Sequence, residues 1–463
     1  MELMPVSEVI EIAKPSNGFT LYDTPVRGVS IDTRTLKPGD LFIAVKGQST
    51  DGHLFVQDAV QKGASGIVVQ TPFDTEQINI GDRHSNIYVV RDSLEFLGNL
   101  ARLYLKKLGC RVICVTGTNG KTSVKDFIVK ILSEDYFTTG TKGNFNNLYG
   151  LPLSIFEANC WTEVAVFEMG MSAMGEIARL CEIAQPEIGV LNNISAAHLE
   201  GLGNLENVIR AKAEMLKFLS EKNKPAVINI DDENVVSLSR SIKCPYVTVG
   251  TAPGADFRIT DIAINDIGNA RFEINGSRVE LNIPGFHNVS NSAIALAAAV
   301  AYGTDFKRAL TLLPALRLPE MRCTVYKIGG ISIINDAYNA NPQSVREAIK
   351  LLGSLKANRR FMVLGDMLEL GDQSEFYHRK IGNEIGRSEI NHLITFGEMA
   401  KLSGEEAAKS GSAIVTSHFQ YHHDIAYLLN SEARPGDLVL FKGSRGMKLE
   451  TALELFESKI RKI

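Results

Sequence analysis

The sequence predicts an α/β protein built as three domains, and three observations carry that expectation. The chain has 463 residues, enough for two to four domains at roughly 100–200 residues each. Short apolar runs recur along most of it, each ending in polar residues, which is the pattern of parallel strands buried on both faces. The texture changes near residue 107 and again near 315. The boundaries expected are therefore a small α/β domain over 1–107, a central, mostly parallel sheet domain over 108–315, and a Rossmann-like α/β domain over 316–463.

In the first region, residues 40–45 and 66–69 read as strands, with a helix between them over 55–62. In the second, strands are expected at 111–115, 164–167, 188–191 and 226–230, alternating with helices. The first stops at a Gly-rich turn and the others at Glu168, Asn192 and Asp231. The Ala-rich stretch 293–302 is too short to span a membrane and reads as a buried helix. The third region repeats the pattern, with strands at 330–334, 360–364, 392–396 and 437–441 that again end in polar residues. Ligands in such sheets bind beyond the carboxyl ends of the strands. The two prolines within 313–319 mark the expected hinge between the second and third regions.

Composition excludes several classes. Lys and Arg total 49 against 53 Asp and Glu, a net charge of −4, so the basic surface of a nucleic-acid binder is not expected. Six scattered cysteines form no C-x-x-C pair and read as buried thiols in a reducing cytoplasm. Residues 1–20 carry acids and a proline where a secretory signal needs an apolar core. Membrane insertion is not expected, and the balanced composition fits a monomer.

Thr116-Gly-Thr-Asn-Gly-Lys-Thr122 follows a strand and precedes a helical pattern. A Gly-rich turn feeding a helix N-terminus points backbone N–H groups at an anion. Gly117, Thr118, Asn119, Gly120 and Ser123 supply that loop; Lys121 is placed to reach terminal phosphates and the Thr122 hydroxyl to bind Mg²⁺. The match to G-x-x-x-x-G-K-[ST] is incomplete, because Val115 stands where the first glycine belongs.

Three further residues suggest a cation site. Glu168 directly follows a buried strand, where a carboxylate can ligate Mg²⁺ on nucleotide phosphates. His198 follows the next strand end, in a loop leaving the sheet on the same side. Lys212 completes the apolar stripe Leu205, Val208, Ile209, Leu216, Leu219 of a helix over 205–219. Two readings fit it: a snorkelling lysine whose ammonium reaches water, or a buried amine of lowered pKa that takes up CO₂ and becomes an anionic metal ligand.

The loop 116–122 followed in order by Glu168, His198 and Lys212 resembles the ATP-dependent Mur ligases and their folylpolyglutamate synthetase relatives, over essentially the whole chain. Gly285-Phe-His-Asn-Val-Ser-Asn291 is similar to the family's H-N-x-x-N motif, and Arg322 to the arginine opening its last domain. Asn335-Asp-Ala-Tyr-Asn-Ala-Asn-Pro342, Leu364-Gly-Asp-Met-Leu-Glu-Leu-Gly371, Lys142-Gly-Asn-Phe-Asn-Asn147 and Lys442-Gly-Ser-Arg445 resemble the branch that adds D-alanyl-D-alanine. The D-N-P-R motif of the preceding amino-acid-adding branch is absent. Asp32-Thr-Arg34 with Asp51-Gly-His53 resembles a UDP-sugar-binding domain, with Thr33 where serine is expected.

The resemblance implies a ligase joining D-alanyl-D-alanine to UDP-N-acetylmuramoyl-tripeptide through an acyl phosphate, with ATP and two Mg²⁺ sites. It implies catalytic roles for Lys121, Glu168, His198 and Lys212, with Thr122, Glu168, His198 and a carbamylated Lys212 as metal ligands. Asn288, Arg322 and Asp336 join the ATP-binding set, although Asn288 also reads as a helix cap. Thr33, Arg34, Lys46, Asp51, His53, Asn144, Asn146 and Asn147 fall to the UDP-sugar peptide, and Asn339, Asn341, Ser444 and Arg445 to the dipeptide, with Asn339 and Asn341 alternatively shaping the turn before Pro342. The rivals are another Mur-type or folate-polyglutamylating ligase, and a non-catalytic binding protein on the same fold.

Overall fold

The computed structural model describes residues 1–13, 22–47, 50–81, 85–241, 243–411 and 413–460. Part of the N-terminal stretch 1–20 therefore lies outside the described residues; Val6–Ala13 within it is a helix. The chain forms two compact units, one of Met1–Cys114, Leu132–Gly170 and Glu176–Glu187, the other of Val115–Ile131, Met171–Gly175 and Ile188–Ile463.

The first unit holds a four-stranded parallel sheet in the order Gly28–Ser30, Asp40–Ile43, Gly66–Gln70, Asn86–Val90. Its core packs Phe42, Ile67 and Val69 against Val56, Ala59 and Val60 of the helix Val56–Gln61. That helix is shorter than expected because a tight turn, Gly52–Phe55, capped by Asp51, precedes it. The strands Thr138–Gly140 and Val164–Glu168 pair in parallel in the same unit.

In the second unit, Ile188–Leu191, Ala226–Asn229, Tyr246–Gly250 and Phe257–Ile264 pair in parallel. Asn269–Ile274 and Ser277–Pro284 then continue as an antiparallel ribbon. This ribbon departs from the expected strand–helix alternation. Its residues alternate exposed and buried, as Arg278, Glu280 and Asn282 face out while Val279, Leu281 and Ile283 face in. That period of two is what an antiparallel sheet covered on one face requires. The helix Phe286–Tyr302 is buried along nearly its whole length, as its alanines predicted.

A six-stranded sheet completes this unit, in the order Thr324–Ile328, Ile331–Asp336, Leu438–Lys442, Arg360–Gly365, His392–Phe396, Val415–Phe419, parallel except for its first pair. Ile333, Val363, Ile394 and Val439 from its strands meet Ile425, Leu429, Leu453 and Phe456 from the helices His422–Glu432 and Leu449–Ile460. The segment expected to hinge begins with the turn Leu313–Ala315, where Leu313 and Leu316 are buried and Asn282 Nδ2 donates to Pro314 O at 2.9 Å.

Two expectations about side chains need correction. Cys160 is exposed in the turn between the helix Gly150–Ile155 and the strand Val164–Glu168, and Cys110 is half-buried just before the strand Arg111–Thr116; the other four thiols are buried. Lys212 does not snorkel: it is only 1% exposed. Among the described residues no helix is long and apolar enough to cross a membrane.

Candidate active site

The strand Arg111–Thr116 ends in the glycine loop, and the helix Lys121–Leu132 starts from it. The loop is held by amides. Asn119 N–H donates to Asn193 Oδ1 at 2.7 Å, while Asn192 Nδ2 and Asn193 Nδ2 both donate to Asn119 O. Thr118 Oγ1 accepts the Ser195 N–H at 2.9 Å. Gly120 has φ +76°, and a Cβ there would stand 2.5 Å from Asn291 Oδ1 and 2.6 Å from Asn192 Nδ2. Only glycine lets the loop approach these amides so closely. Lys121 Nζ folds back onto Gly117 O and Thr118 O at 3.0 and 3.1 Å, an ammonium kept over the loop it would share with a phosphate.

Lys212 projects from the helix Leu205–Lys222 to the same loop, donating from Nζ to Gly117 O at 2.9 Å. The apolar stripe thus delivers an amine to the phosphate loop. Thr122 Oγ1 accepts from Arg322 Nη2 at 3.0 Å, and that guanidinium lies 4.1 Å over the Tyr338 ring. Arg322, 200 residues along the chain from Thr122, therefore meets the glycine loop.

Asn341 caps the helix Pro342–Ser354 in a box with Ser344. It also exchanges amide hydrogen bonds with Asn119, at 2.7 and 3.2 Å. Of the two readings left open by the sequence, the turn-shaping one is built here, with a loop contact added to it. Asn339 offers its carbonyl to Lys442 Nζ at 2.8 Å.

Asn288 is fully buried, with Nδ2 donating to Pro284 O and Oδ1 accepting from Asn291 Nδ2. It does not cap the helix; Gly285 occupies that position. Both ends of its amide are thus spent, the oxygen on the network Asn288–Asn291–Asn192 that leads to the loop. Asp336 pairs with the buried Lys442 at 2.6 Å and accepts the Cys323 N–H at 3.1 Å. Ser444 is buried, its hydroxyl accepting the Leu368 N–H at 2.9 Å, and Arg445 pairs with Glu450 at 2.6 Å.

His198 sits at φ +57° ahead of the short helix Leu199–Leu202, its Nδ1 2.5 Å from Glu369 Oε2. This bond holds the Glu369 carboxyl below the usual carboxylate range. Lys121 adds to the same effect, so Lys121, His198 and Glu369 share one electrostatic neighbourhood.

In the first unit, Glu168 is the last residue of its strand rather than the residue after it. It is buried; Asn146 Nδ2 donates to Oε1 at 2.6 Å and its own N–H donates to Thr141 Oγ1. Asn147 accepts the N–H groups of Tyr149 and Gly150, and Asn144 is exposed. Arg34 forms a fork on Asp32, with Nη2 to Oδ2 at 2.6 Å, and this pairing lowers the Asp32 pKa. Thr33 is buried, its carbonyl accepting from Lys62 Nζ. Lys46 bridges to Asp51 through the backbone. His53 is fixed as one tautomer: Gln70 N–H donates to Nε2 at 2.9 Å, so the ring proton is on Nδ1, 2.6 Å from Asp51 Oδ1. Both ring nitrogens are thereby committed, and His53 shapes this surface instead of presenting a free donor.

Three profiles of one family match this chain: the "Mur ligase family, catalytic domain" over residues 25–105, the "Mur ligase middle domain" over 115–299, and the "Mur ligase, glutamate ligase domain" over 321–445. The UDP-N-acetylmuramoyl-tripeptide–D-alanyl-D-alanine ligase of Bacillus subtilis is 39% identical over 459 residues, 98% of each chain. The chain belongs to the Mur ligase family. The enzyme of the same name from Escherichia coli is 30% identical over 94% of each chain. Among solved structures, a crystal structure of MurF from Acinetobacter baumannii aligns with this Mur ligase over 99% of both chains, with TM-score 0.89 and 27% identity. MurF from Thermotoga maritima in complex with ADP aligns with TM-score 0.82 and 31% identity, over 94% of this chain and 98% of that one. This Mur ligase thus has the family's three-domain α/β fold with mostly parallel sheets.

Asn291, Glu369 and Lys442 stand within recognisable sequence segments and Asn192 at a strand end, but the sequence alone assigned none of them, nor Asn193, a role. A lysine closing an apolar strand, as Lys442 does, was a signal available in the sequence; the pairing of Glu369 with His198, 171 residues apart, left none.

Proposed function

We propose that this Mur ligase joins D-alanyl-D-alanine to UDP-N-acetylmuramoyl-tripeptide at the expense of ATP, giving the pentapeptide precursor of peptidoglycan. The observation that carries the reading is the convergence of Lys121, Lys212, Arg322 and Asn341 on one glycine loop, together with full-length likeness to ligases of that name. We place the work in the cytoplasm, where ATP and sugar nucleotides are found, and assign it to a monomer. We put the domain boundaries at 107 and 315.

Two anions must meet in the first step. The tripeptide carboxylate attacks the γ-phosphorus of ATP; the bond to the β-bridging oxygen breaks and ADP leaves with its electron pair. The dipeptide amine then adds to the acyl-phosphate carbonyl, loses a proton and expels phosphate. The helix Lys121–Leu132 aims its N-terminus at the phosphates, and Lys121 exchanges its loop carbonyls for phosphate oxygens. Arg322 and Asn341 carry the C-terminal region's groups onto the loop, which positions the reactants as phosphoryl transfer requires.

Among the described residues no three His, Cys, Asp or Glu side chains converge on a metal-sized site. A cation here must rely on other donors, and the hydroxyl of Thr122 and the carboxylate of Glu168 are the hard oxygen type that suits Mg²⁺. An ammonium at Lys212 would repel the ion, so we assign Lys212 as a carbamate in the active enzyme; with His198 it would hold a second Mg²⁺. Bound Mg²⁺ supplies the positive charge that lets carboxylate and phosphate approach. Arg34 and the surface shaped by Thr33, Lys46, Asp51 and His53 take the UDP-sugar; Asn144, Asn146 and Asn147 take its peptide. Asn288 and Asp336 act behind the nucleotide, and Asn339, Ser444 and Arg445 border the dipeptide.

Phosphate release measured across a panel of acceptors and dipeptides tests this. Release dependent on both named substrates supports it; a preference for a single L-amino acid or for a folate acceptor would replace it with the rival ligases.

A further inference from the structure

The loop after the strand Arg360–Gly365 is pinned residue by residue. Asp366 Oδ1 accepts the Ala400 N–H at 2.7 Å, Met367 N–H donates to His378 Nε2 at 3.0 Å, and Leu368 N–H donates to Ser444 Oγ at 2.9 Å. Glu369 O accepts the N–H of Glu200 at 3.1 Å, within the short helix Leu199–Leu202 that His198 opens. Gly371, at φ +53°, lies against Glu200, where a Cβ would come within 3.2 Å of Cα. The backbone thus fixes where the Glu369 carboxylate stands, and it stands on His198 Nδ1.

Both partners hold a left-handed backbone, φ +57° at His198 and φ +63° at Glu369. Neither residue type adopts it without strain, and strain of this kind collects at functional sites. The Glu369 side chain is 57% exposed, and an exposed ion pair contributes little stability. Fold stability alone therefore does not explain two strained residues meeting in one hydrogen bond.

We propose that Glu369 is a positioning residue for His198: its carboxylate holds the ring proton on Nδ1 and leaves Nε2 as the ring atom available to a metal ion. A carboxylate accepts only, so the shared proton resides on the histidine. Such outer partners set the tautomer and orientation of a metal-binding imidazole. Because Glu369 sits one residue from Leu368, which bonds Ser444, the loop also ties His198 to the strand end assigned to the dipeptide. The proposal rests on the reading of His198 as a metal ligand and deepens it.

The test is Mn²⁺ binding, read by electron paramagnetic resonance on the full chain with a non-hydrolysable ATP analogue, so that no turnover is needed. His198→Ala should weaken one Mn²⁺ site. Glu369→Ala should weaken the same site about 10–100-fold with little change in thermal midpoint. Glu369→Gln, whose amide oxygen still accepts from Nδ1–H, should restore most of that loss. In the His198→Ala background, Glu369→Ala should add nothing. Nitrogen NMR of the metal-free enzyme should show His198 protonated on Nδ1, and Glu369→Ala should release that tautomer. Weakening by His198→Ala but not by Glu369→Ala overturns the positioning role alone, as does additivity of the two substitutions. Unchanged Mn²⁺ binding in His198→Ala overturns the ligand reading and this proposal together.

Discussion

Replacing Lys212 with methionine separates what this residue does for the fold from what it does for the reaction. Lys212 is 1% exposed and its Nζ donates to Gly117 O at 2.9 Å. Methionine nearly matches its length and fills the same space, so no large cavity opens. The Gly117 carbonyl keeps its bond from Lys121 Nζ at 3.0 Å, so what is lost is one hydrogen bond from a charged donor, worth about 1.5–3 kcal/mol. Against that, the several kcal/mol of desolvation that a buried ammonium suffers is removed. The two roughly cancel, and Lys212→Met should melt within a few degrees of the wild type, given about 2–4 °C per kcal/mol for domains of this size. Lys212→Ala lacks the compensating bulk and should be lower by about 2–5 kcal/mol. Ligation should be lost in both. Short-chain carboxylic acids should partly restore the alanine variant by placing a carboxylate where a carbamate would stand, and Lys212→Arg should stay inactive because guanidinium repels the metal. Thermal melts beside phosphate release provide the assay. A methionine variant that keeps activity, or one that loses as much stability as the alanine variant, would refute this reasoning.

Further outcomes follow from the same geometry. Lys121→Ala should abolish phosphate release, because it removes the ammonium that lies over the glycine loop at Gly117 O and Thr118 O; release at the wild-type rate would overturn its assignment to the phosphates. Asn341→Ala removes a helix cap worth about 0.5–2 kcal/mol and the amide pair with Asn119; the thermal midpoint should fall and KM for ATP should rise together. Burial holds His378 and His392 below the ordinary histidine range. The unfolded chain then binds protons that the folded one refuses as pH falls below about 6.5. Stability should therefore be full above that pH and decline beneath it, and urea midpoints between about pH 7.5 and pH 5.5 should show a smaller decline in His378→Gln.

What the sequence made legible was local. Apolar runs of four to six residues bounded by polar ones marked the parallel strands, and the stripe through Leu205, Val208 and Leu216 aimed Lys212 inward, where it is found. The antiparallel ribbon was not legible from continuous apolar runs, because Asn269–Ile274 and Ser277–Pro284 alternate with a period of two. The site was legible in its parts but not in its contacts. Asn119 with Asn341 spans 222 residues and His198 with Glu369 spans 171; such pairs are set by how strand ends meet, and periodicity within either segment carries no trace of them. Cap chemistry also misled: Asn288 resembles an N-cap by position, but the glycine before the helix takes that place and the amide turns inward.

The central claim is that this chain forms one particular amide bond at the expense of ATP. Its direct test incubates the full chain with Mg²⁺, ATP, UDP-N-acetylmuramoyl-tripeptide and D-alanyl-D-alanine, following phosphate by colour and product by mass. The account predicts phosphate and UDP-N-acetylmuramoyl-pentapeptide in equal amounts, with neither formed when the tripeptide nucleotide or the dipeptide is omitted. Phosphate release indifferent to the dipeptide, or no product of pentapeptide mass, would contradict it.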